Sequence, residues 1–347
     1  MYERFFGFRE RPFDLTPSPR FLVMTEGHRE ALSNLEYAIS SRKGITVLLG
    51  DAGCGKTTII RTAIDKLPSQ VRCVHVTNPA LTREEFVETL ATEFGLTGDA
   101  ARSKATLLRE LEKLLRLRRA QDETTVLVVD EAQSLSGELL EEIRLLANIE
   151  TPDEKLLSVI LAGQPELAEQ LNQPALRQLK QRIALRCELK PLTVQETLAY
   201  LAGRIRAAGG VASRVFTREA ATLLHGHSGG VPRIINVLAD NSLLAAFAER
   251  TARVTSDLVT EVARDFNLAR AEASAAPVVD VTTHTPDGSA GQETPVTEIS
   301  LLAIPGGRHE QDSNPLRADD ESAAGVPLFR AFSAARRFPF IGRRGTA

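Results

Sequence analysis

Several things are scarce in this 347-residue chain, and each scarcity excludes a class of protein. Cysteine occurs three times, at Cys54, Cys73 and Cys187. That is too few and too scattered for a disulfide framework or a metal cluster, and it suits a reducing cytoplasm. No apolar run approaches the roughly 18–20 residues that a membrane span needs. The opening MYERFFGFRERPF carries acidic residues early and no signal-peptide core. Neither sign of charge dominates: a quarter of the residues are charged and the net charge is −3. Nothing global therefore draws the chain to a polyanion, although a local basic surface remains compatible with it. There is no internal repeat and no N-K-x-D guanine-reading motif. These absences predict a cytoplasmic protein with no transmembrane segment, with peripheral attachment at the inner membrane left open. The length predicts two domains and a tail.

What is present is concentrated in one stretch, Gly50-Asp51-Ala52-Gly53-Cys54-Gly55-Lys56-Thr57-Thr58. Gly50, Gly55, Lys56 and Thr57 complete G-x-x-x-x-G-K-[ST], the Walker A phosphate-binding loop. Glycines let the backbone curl so that successive N–H groups point at a phosphate, and the following helix adds its positive end. Lys56 can reach the β- and γ-phosphates, and the Thr57 hydroxyl can ligate Mg²⁺. Cys54 needs only its backbone there. The context fits, because Ile45–Leu49 reads as a buried strand and Ile59–Ile64 as a helix. The chain is expected to bind a nucleoside triphosphate with Mg²⁺.

Strands then alternate with helices. Val71–Val76, Thr125–Asp130 and Leu156–Ala162 read as strands; Glu26–Ser41, Thr82–Phe94, Lys104–Arg119 and Leu139–Ile149 read as helices. The pattern predicts an α/β fold with a mostly parallel sheet covered on both faces. From Pro191 the signal becomes helical throughout, over Thr193–Ala208, Thr217–His225, Val231–Glu249 and Ser256–Ala271. Thr193, Thr217 and Ser256 are candidate N-caps, and Thr193 with Glu196 forms a capping box. The expected domains are residues 1–190 for nucleotide binding, 191–271 for a small all-α lid, and 272–347 for a disordered tail. Residues 272–326 lack aromatics and are rich in polar residues and proline. The last twenty residues interleave Phe and Arg, as either a solvated end or a short docking peptide. At the other terminus, five phenylalanines fall in the first 21 residues. They read as a strap over the core, or alternatively as part of an adenine pocket around Phe8–Phe13.

Asp130-Glu131 ends a buried strand downstream of Walker A. There one carboxylate is needed to hold Mg²⁺, and a second can activate the attacking water. Gln164 follows the next strand, either facing the γ-phosphate or as a turn residue before Pro165. Arg233, in Gly229-Gly-Val-Pro-Arg233, opens a lid helix, either folding back on the nucleotide or as a surface arginine.

Taken together, these motifs resemble an AAA+ ATPase: a P-loop NTPase sheet sandwiched by helices and followed by a helical lid. More narrowly, FGFRERPFDLTPSPRFL, GDAGCGKTT, VVDEAQ, RLLANIET and LAGQPEL resemble the ExeA-like general-secretion ATPases, including relatives from exopolysaccharide or PEP-CTERM loci. The likeness spans roughly residues 1–270. It implies ATP as the nucleotide, Gln164 as sensor 1 and Arg233 as sensor 2. It also implies an arginine acting on a neighbouring subunit's nucleotide, for which Arg182 is the first candidate and Arg177 the second. A homo-oligomer follows, serving envelope secretion or polysaccharide-export components. The alternative is an ATP-switched DNA-binding protein like the transposition-helper ATPases, on the strength of the fold and the basic segments Arg116–Arg119 and Arg177–Arg186.

Overall fold

Three stretches of this chain are apolar almost without interruption, and the fold buries each of them on both faces. In the computed structural model, residues 1–15, 19–77 and 81–268 are described. The expected tail at 272–347, with its Arg/Phe end, lies outside them. Strands β1 (Ile45–Gly50), β2 (Val71–Val76), β3 (Thr124–Val129), β4 (Leu157–Gly163) and β5 (Ile183–Leu189) form one sheet. Its order is β2-β3-β4-β1-β5, and every pairing is parallel. β1 and β4 are buried at every position.

The strand order positions the site. β4 lies between β1 and β3, so the loops leaving β1, β4 and β3 emerge side by side at the carboxyl edge of the sheet. Ligands of open α/β sheets bind at this edge. Helices cover both faces. Phe86, Leu90, Leu111, Leu140 and Ile143 pack on one side, and Leu35, Ile39, Ile59 and Ile60 on the other.

β5 does not appear in the strand pattern read from the sequence. Its residues Ile183-Ala-Leu-Arg-Cys-Glu-Leu189 alternate, with Ala184, Arg186 and Glu188 exposed and Cys187 and Leu189 buried. The charges of this edge strand fall on its open face, as edge strands favour, and the alternation overlaps the segment Arg177–Arg186 read above for its basic charge. The helix after β3 runs Gly137–Leu146, starting and ending a few residues before the expected span.

The second part is helical: Val194–Ala207, Ala212–Val215, Arg218–Ser228, Pro232–Ala248 and Ser256–Asp265. Thr193 and Glu196 close the expected capping box, and Thr217 accepts from the Ala220 N–H. Ser256 is the first helical residue instead of the cap; Thr255 takes that position, without a side-chain cap bond.

The aromatic lead-in packs on the core of the helical part. Tyr2, Phe8, Phe13 and Phe21 are buried in one cluster with Leu201, Ile205, Leu238 and Val259 of the helices. The reason is visible at Arg204. Its buried guanidinium donates to the carbonyls of Pro12 (2.6 Å) and Asp14 (3.1 Å) and to the Tyr200 hydroxyl (2.8 Å). It also lies 5.3 Å from the centre of the Phe21 ring, within cation–π range. The first segment is therefore fixed to the helical part by polar and aromatic contacts together.

Candidate functional site

At the end of β1 the chain turns through Gly53 (φ 85°) and Gly55 (φ 97°) before the helix Lys56–Lys66 begins. Both lie in the left-handed region that glycine tolerates best. At Gly53 space matters as well, since a Cβ there would come 2.6 Å from the Arg233 Cβ. The Arg233 N–H donates to the Gly53 carbonyl at 3.3 Å, so the first turn of the helix Pro232–Ala248 rests on the loop.

Lys56 is buried at 4% exposure, and its Nζ donates to the carbonyls of Gly50 (2.7 Å) and Asp51 (3.1 Å). The ammonium thus lies folded across the mouth of the loop, held by acceptors that a phosphate oxygen can outbid, since ionised acceptors bind it more strongly. Burial pushes the Cys54 thiol above its ordinary pKa, which leaves it inert, in keeping with a backbone-only role.

The two hard-oxygen donors foreseen in the sequence meet here. Thr57 Oγ1 donates to Asp130 Oδ2 at 2.6 Å across a separation of 73 residues. Asp130 Oδ1 accepts the Glu131 N–H at 3.0 Å. A hydroxyl and a carboxylate side by side at the lip of a phosphate loop suit Mg²⁺, which takes few protein ligands and completes its shell with phosphates and water.

Glu131 stands at φ 52°, ψ 38°. A non-glycine residue in that region costs about 1–3 kcal/mol and persists only where its surroundings enforce it. The backbone is held by Asp130 Oδ1 at the Glu131 N–H and by the Ser134 N–H, which donates to the Glu131 carbonyl at 2.9 Å, and two glutamines hold the side chain. Gln133 Nε2 donates to Glu131 Oε2 at 2.6 Å, and Gln164 Nε2 reaches the same oxygen at 3.3 Å. The Gln133 donation holds the Glu131 carboxyl below its ordinary pKa against an opposing effect of burial, with Gln164 and the charge of Lys56 adding to it. Gln133 also accepts the Gln164 N–H through Oε1 at 3.1 Å.

A cleft of about 420 Å³ opens between the loop and the helical part, lined among others by Phe21, His28, Lys56, Glu131, Tyr200 and Arg233. This lies within the range of small-molecule sites. Phe8 and Phe13 do not line it, in contrast to the pocket expected around Phe8–Phe13, because the helical core absorbs them. Asp14, Leu15 and residues 21–23 take that place.

Thus one site gathers the loop, Asp130, Glu131, Gln164 and Arg233. Arg182 and Arg177 are exposed and not part of it. Ile183 pairs with Ile45 while Leu189 pairs with Gly50, which sets Arg182 at the opposite edge of the sheet from the chain's own loop. Sequence reasoning missed Gln133, His28, Tyr200, Arg204 and Asn236. Only Gln133 carried a signal, its place two residues after the strand-ending acids.

Comparisons with known proteins bear on the family and the fold. Residues 39–171 match the family model described as AAA domain. The chain is 41% identical over 254 residues to general secretion pathway protein A of Aeromonas hydrophila, covering 73% of this chain and 46% of that protein. It is 32% identical over 133 residues to the ATP-dependent target DNA activator B of Escherichia phage Mu, covering 38% and 40%. The chain thus spans less than half the length of these curated relatives. Among solved structures, the Aeropyrum pernix ORC2 protein in its ADPNP–ADP complexes is similar in fold, with a TM-score of 0.55 and 18% identity over 74% of this chain and 72% of that one. Among the described residues, no helix is long and apolar enough to cross a membrane.

Proposed function

Since the chain belongs to the AAA+ ATPases, in the branch that resembles general secretion pathway protein A, we propose that it binds ATP in this cleft and hydrolyses it with Mg²⁺. The observation that carries the reading is the 2.6 Å bond between Thr57 and Asp130, which joins the phosphate loop to the acid-bearing strand. Thr57 and Asp130 would hold Mg²⁺, which when bound neutralises charge building on the β- and γ-phosphates. Lys56 leaves the Gly50 and Asp51 carbonyls for phosphate oxygens. Glu131, whose carboxylate form the Gln133 and Gln164 donations favour, orients the attacking water and takes up its proton. Gln164, at the head of β4, faces the same water and the γ-phosphate. Arg233 reports the phosphate to the helical part, whose first turn already rests on Gly53.

The work done is proposed to be conformational and to act, from the cytoplasm, on an envelope secretion or polysaccharide-export assembly. The 41% identity to general secretion pathway protein A supports that choice. Arg182, remote from its own loop, serves a neighbouring subunit, so the active form is a homo-oligomer. The second reading, an ATP-switched DNA-binding protein, draws support from the likeness to the phage Mu activator and from the exposed Arg177, Lys180, Arg182 and Arg186.

The test is the ATPase rate per subunit against protein concentration, with and without duplex DNA, for the wild type and Lys56→Ala. A rate that climbs with concentration, ignores DNA and vanishes in the variant supports the secretion reading. A rate that appears only with DNA, and binding that weakens steeply with salt, moves the second reading to the front. Normal turnover by Lys56→Ala overturns both.

A further inference from the structure

The loop that cradles phosphate is itself held by a residue far away in sequence that also lines the cleft. His28 belongs to the first turn of the helix Glu26–Ser40 and is buried at 7% exposure. Its Nε2 lies 3.1 Å from the Cys54 carbonyl oxygen, and its Nδ1 lies 2.6 Å from Thr25 Oγ1. A carbonyl can only accept, so Nε2 carries the proton. In a neutral ring Nδ1 then accepts from the Thr25 hydroxyl. Burial lowers the His28 pKa below its ordinary value, which keeps the ring neutral at pH 7. Thr25 therefore sets the tautomer, and the tautomer sets the bond to the loop.

That bond acts on one peptide unit. In a planar trans peptide the C=O and the following N–H point to opposite sides. Fixing the Cys54 carbonyl thus fixes the direction of the Gly55 N–H. Gly55, at φ 97°, has no Cβ to restrain it, and its Cα region lies against the ring, an added Cβ meeting His28 Nε2 at 3.3 Å. Among the described residues, the Gly55 N–H has no hydrogen-bond partner, whereas its carbonyl accepts the Ile59 N–H to start the helix. A donor at a helix N-terminus, inside a glycine loop and free of partners, is available to an anion.

We infer that His28 is a positioning residue for phosphate: by holding the Cys54 carbonyl, it presents the Gly55 N–H to the phosphates of the bound nucleotide. The inference rests on the proposed ATP site and adds a residue outside its motifs. His28 touches the loop backbone; the ligand meets Gly55. Because the bond is one neutral hydrogen bond, its removal costs roughly tenfold in affinity, equivalent to about 1.4 kcal/mol.

Two measurements on the full chain test this. Calorimetric titration with Mg-ATP compares the wild type, His28→Ala and His28→Gln, whose side-chain amide can restore the donor. The expected result is a dissociation constant about tenfold weaker for His28→Ala, with His28→Gln within about threefold of wild type. Equal losses in both variants, or affinity retained in His28→Ala, overturn the inference. Long-range ¹H–¹⁵N correlation of the wild-type ring, assigned by its disappearance in His28→Gln, is expected to show the Nε2–H tautomer. The Nδ1–H tautomer would overturn the inference even if His28→Ala fails to fold. A wild type that binds no Mg-ATP would bring down the proposed function, and this inference with it.

Discussion

Gly53 and Arg233 touch: the carbonyl of one accepts the N–H of the other at 3.3 Å, and a methyl group on the first would meet the second at 2.6 Å. The phosphate loop and the helical part are thereby in direct backbone contact, so a change of loop shape is felt at the first turn of the helix Pro232–Ala248. Gly53→Ala should push the two apart while also straining a φ of 85°. The strain alone costs about 1–3 kcal/mol. The expected outcome is a lower thermal midpoint and ATP affinity reduced by more than about tenfold. Arg233→Ala keeps the backbone bond and the loop conformation, so its midpoint should stay close to wild type in the same melt.

Gln133 favours the carboxylate form of Glu131. It donates at 2.6 Å to the carboxylate and is the largest cause of its depressed pKa. A carboxyl whose folded pKa lies below the unfolded value adds stability above the unfolded value, and that stability is lost as pH falls through the folded one. Gln133→Leu removes the donor and raises the Glu131 pKa. The acid limb of the kcat profile should therefore move to higher pH, and the loss of the bond that orients the carboxylate should lower kcat at neutral pH by about tenfold, the scale of one hydrogen bond to a charged group. An unmoved acid limb would show that Glu131 ionisation does not depend on Gln133.

Arg204 makes a sharper test of packing than any apolar residue in its cluster. Its planar fork satisfies Pro12, Asp14 and Tyr200 at once, and Tyr200 passes the chain on to Asn236 Oδ1 at 3.0 Å. A lysine cannot reproduce three divergent donations. Arg204→Lys is expected to destabilise the fold by about 2–4 kcal/mol, because the buried Pro12 carbonyl and the Tyr200 hydroxyl lose a charged donor. Chemical denaturation followed by circular dichroism measures it, and limited proteolysis should show residues 1–15 becoming cleavable first.

These residues also mark what was legible in the sequence. The phosphate loop was readable because its physics is local: the glycine spacing, the lysine and the hydroxyl act within nine consecutive residues. Asp130 and Glu131 were readable because a buried strand must end before a charge appears. His28 was not, since its partner Cys54 lies 26 residues on and only folding brings them together. Gln133 depended on a left-handed turn at Glu131 that no propensity favours. β5 was legible as an alternation over Ile183–Leu189 but was read for its basic charge instead, whereas the destination of the N-terminal aromatics was set by long-range partners such as Arg204, about 190 residues away.

Arg182 is the residue whose position argues most directly for assembly. It is exposed, and β5 separates it from Leu189, the residue that pairs with Gly50 at the site. Over seven strand residues at about 3.3 Å each, the gap is roughly 23 Å, more than a side chain can cross. It cannot complete the site of its own chain, so any catalytic contribution must go to another. Arg182→Ala and Glu131→Gln should each lose turnover alone, the first lacking what it lends and the second lacking its base. In an equal mixture, roughly one interface in four pairs an intact Glu131 with an intact Arg182 from the neighbour in a closed ring. Turnover should then rise above that of either variant at the same total concentration. If no mixing ratio raises it, Arg182 acts on no neighbour, and Arg177→Ala in the same experiment becomes the test of the other exposed candidate.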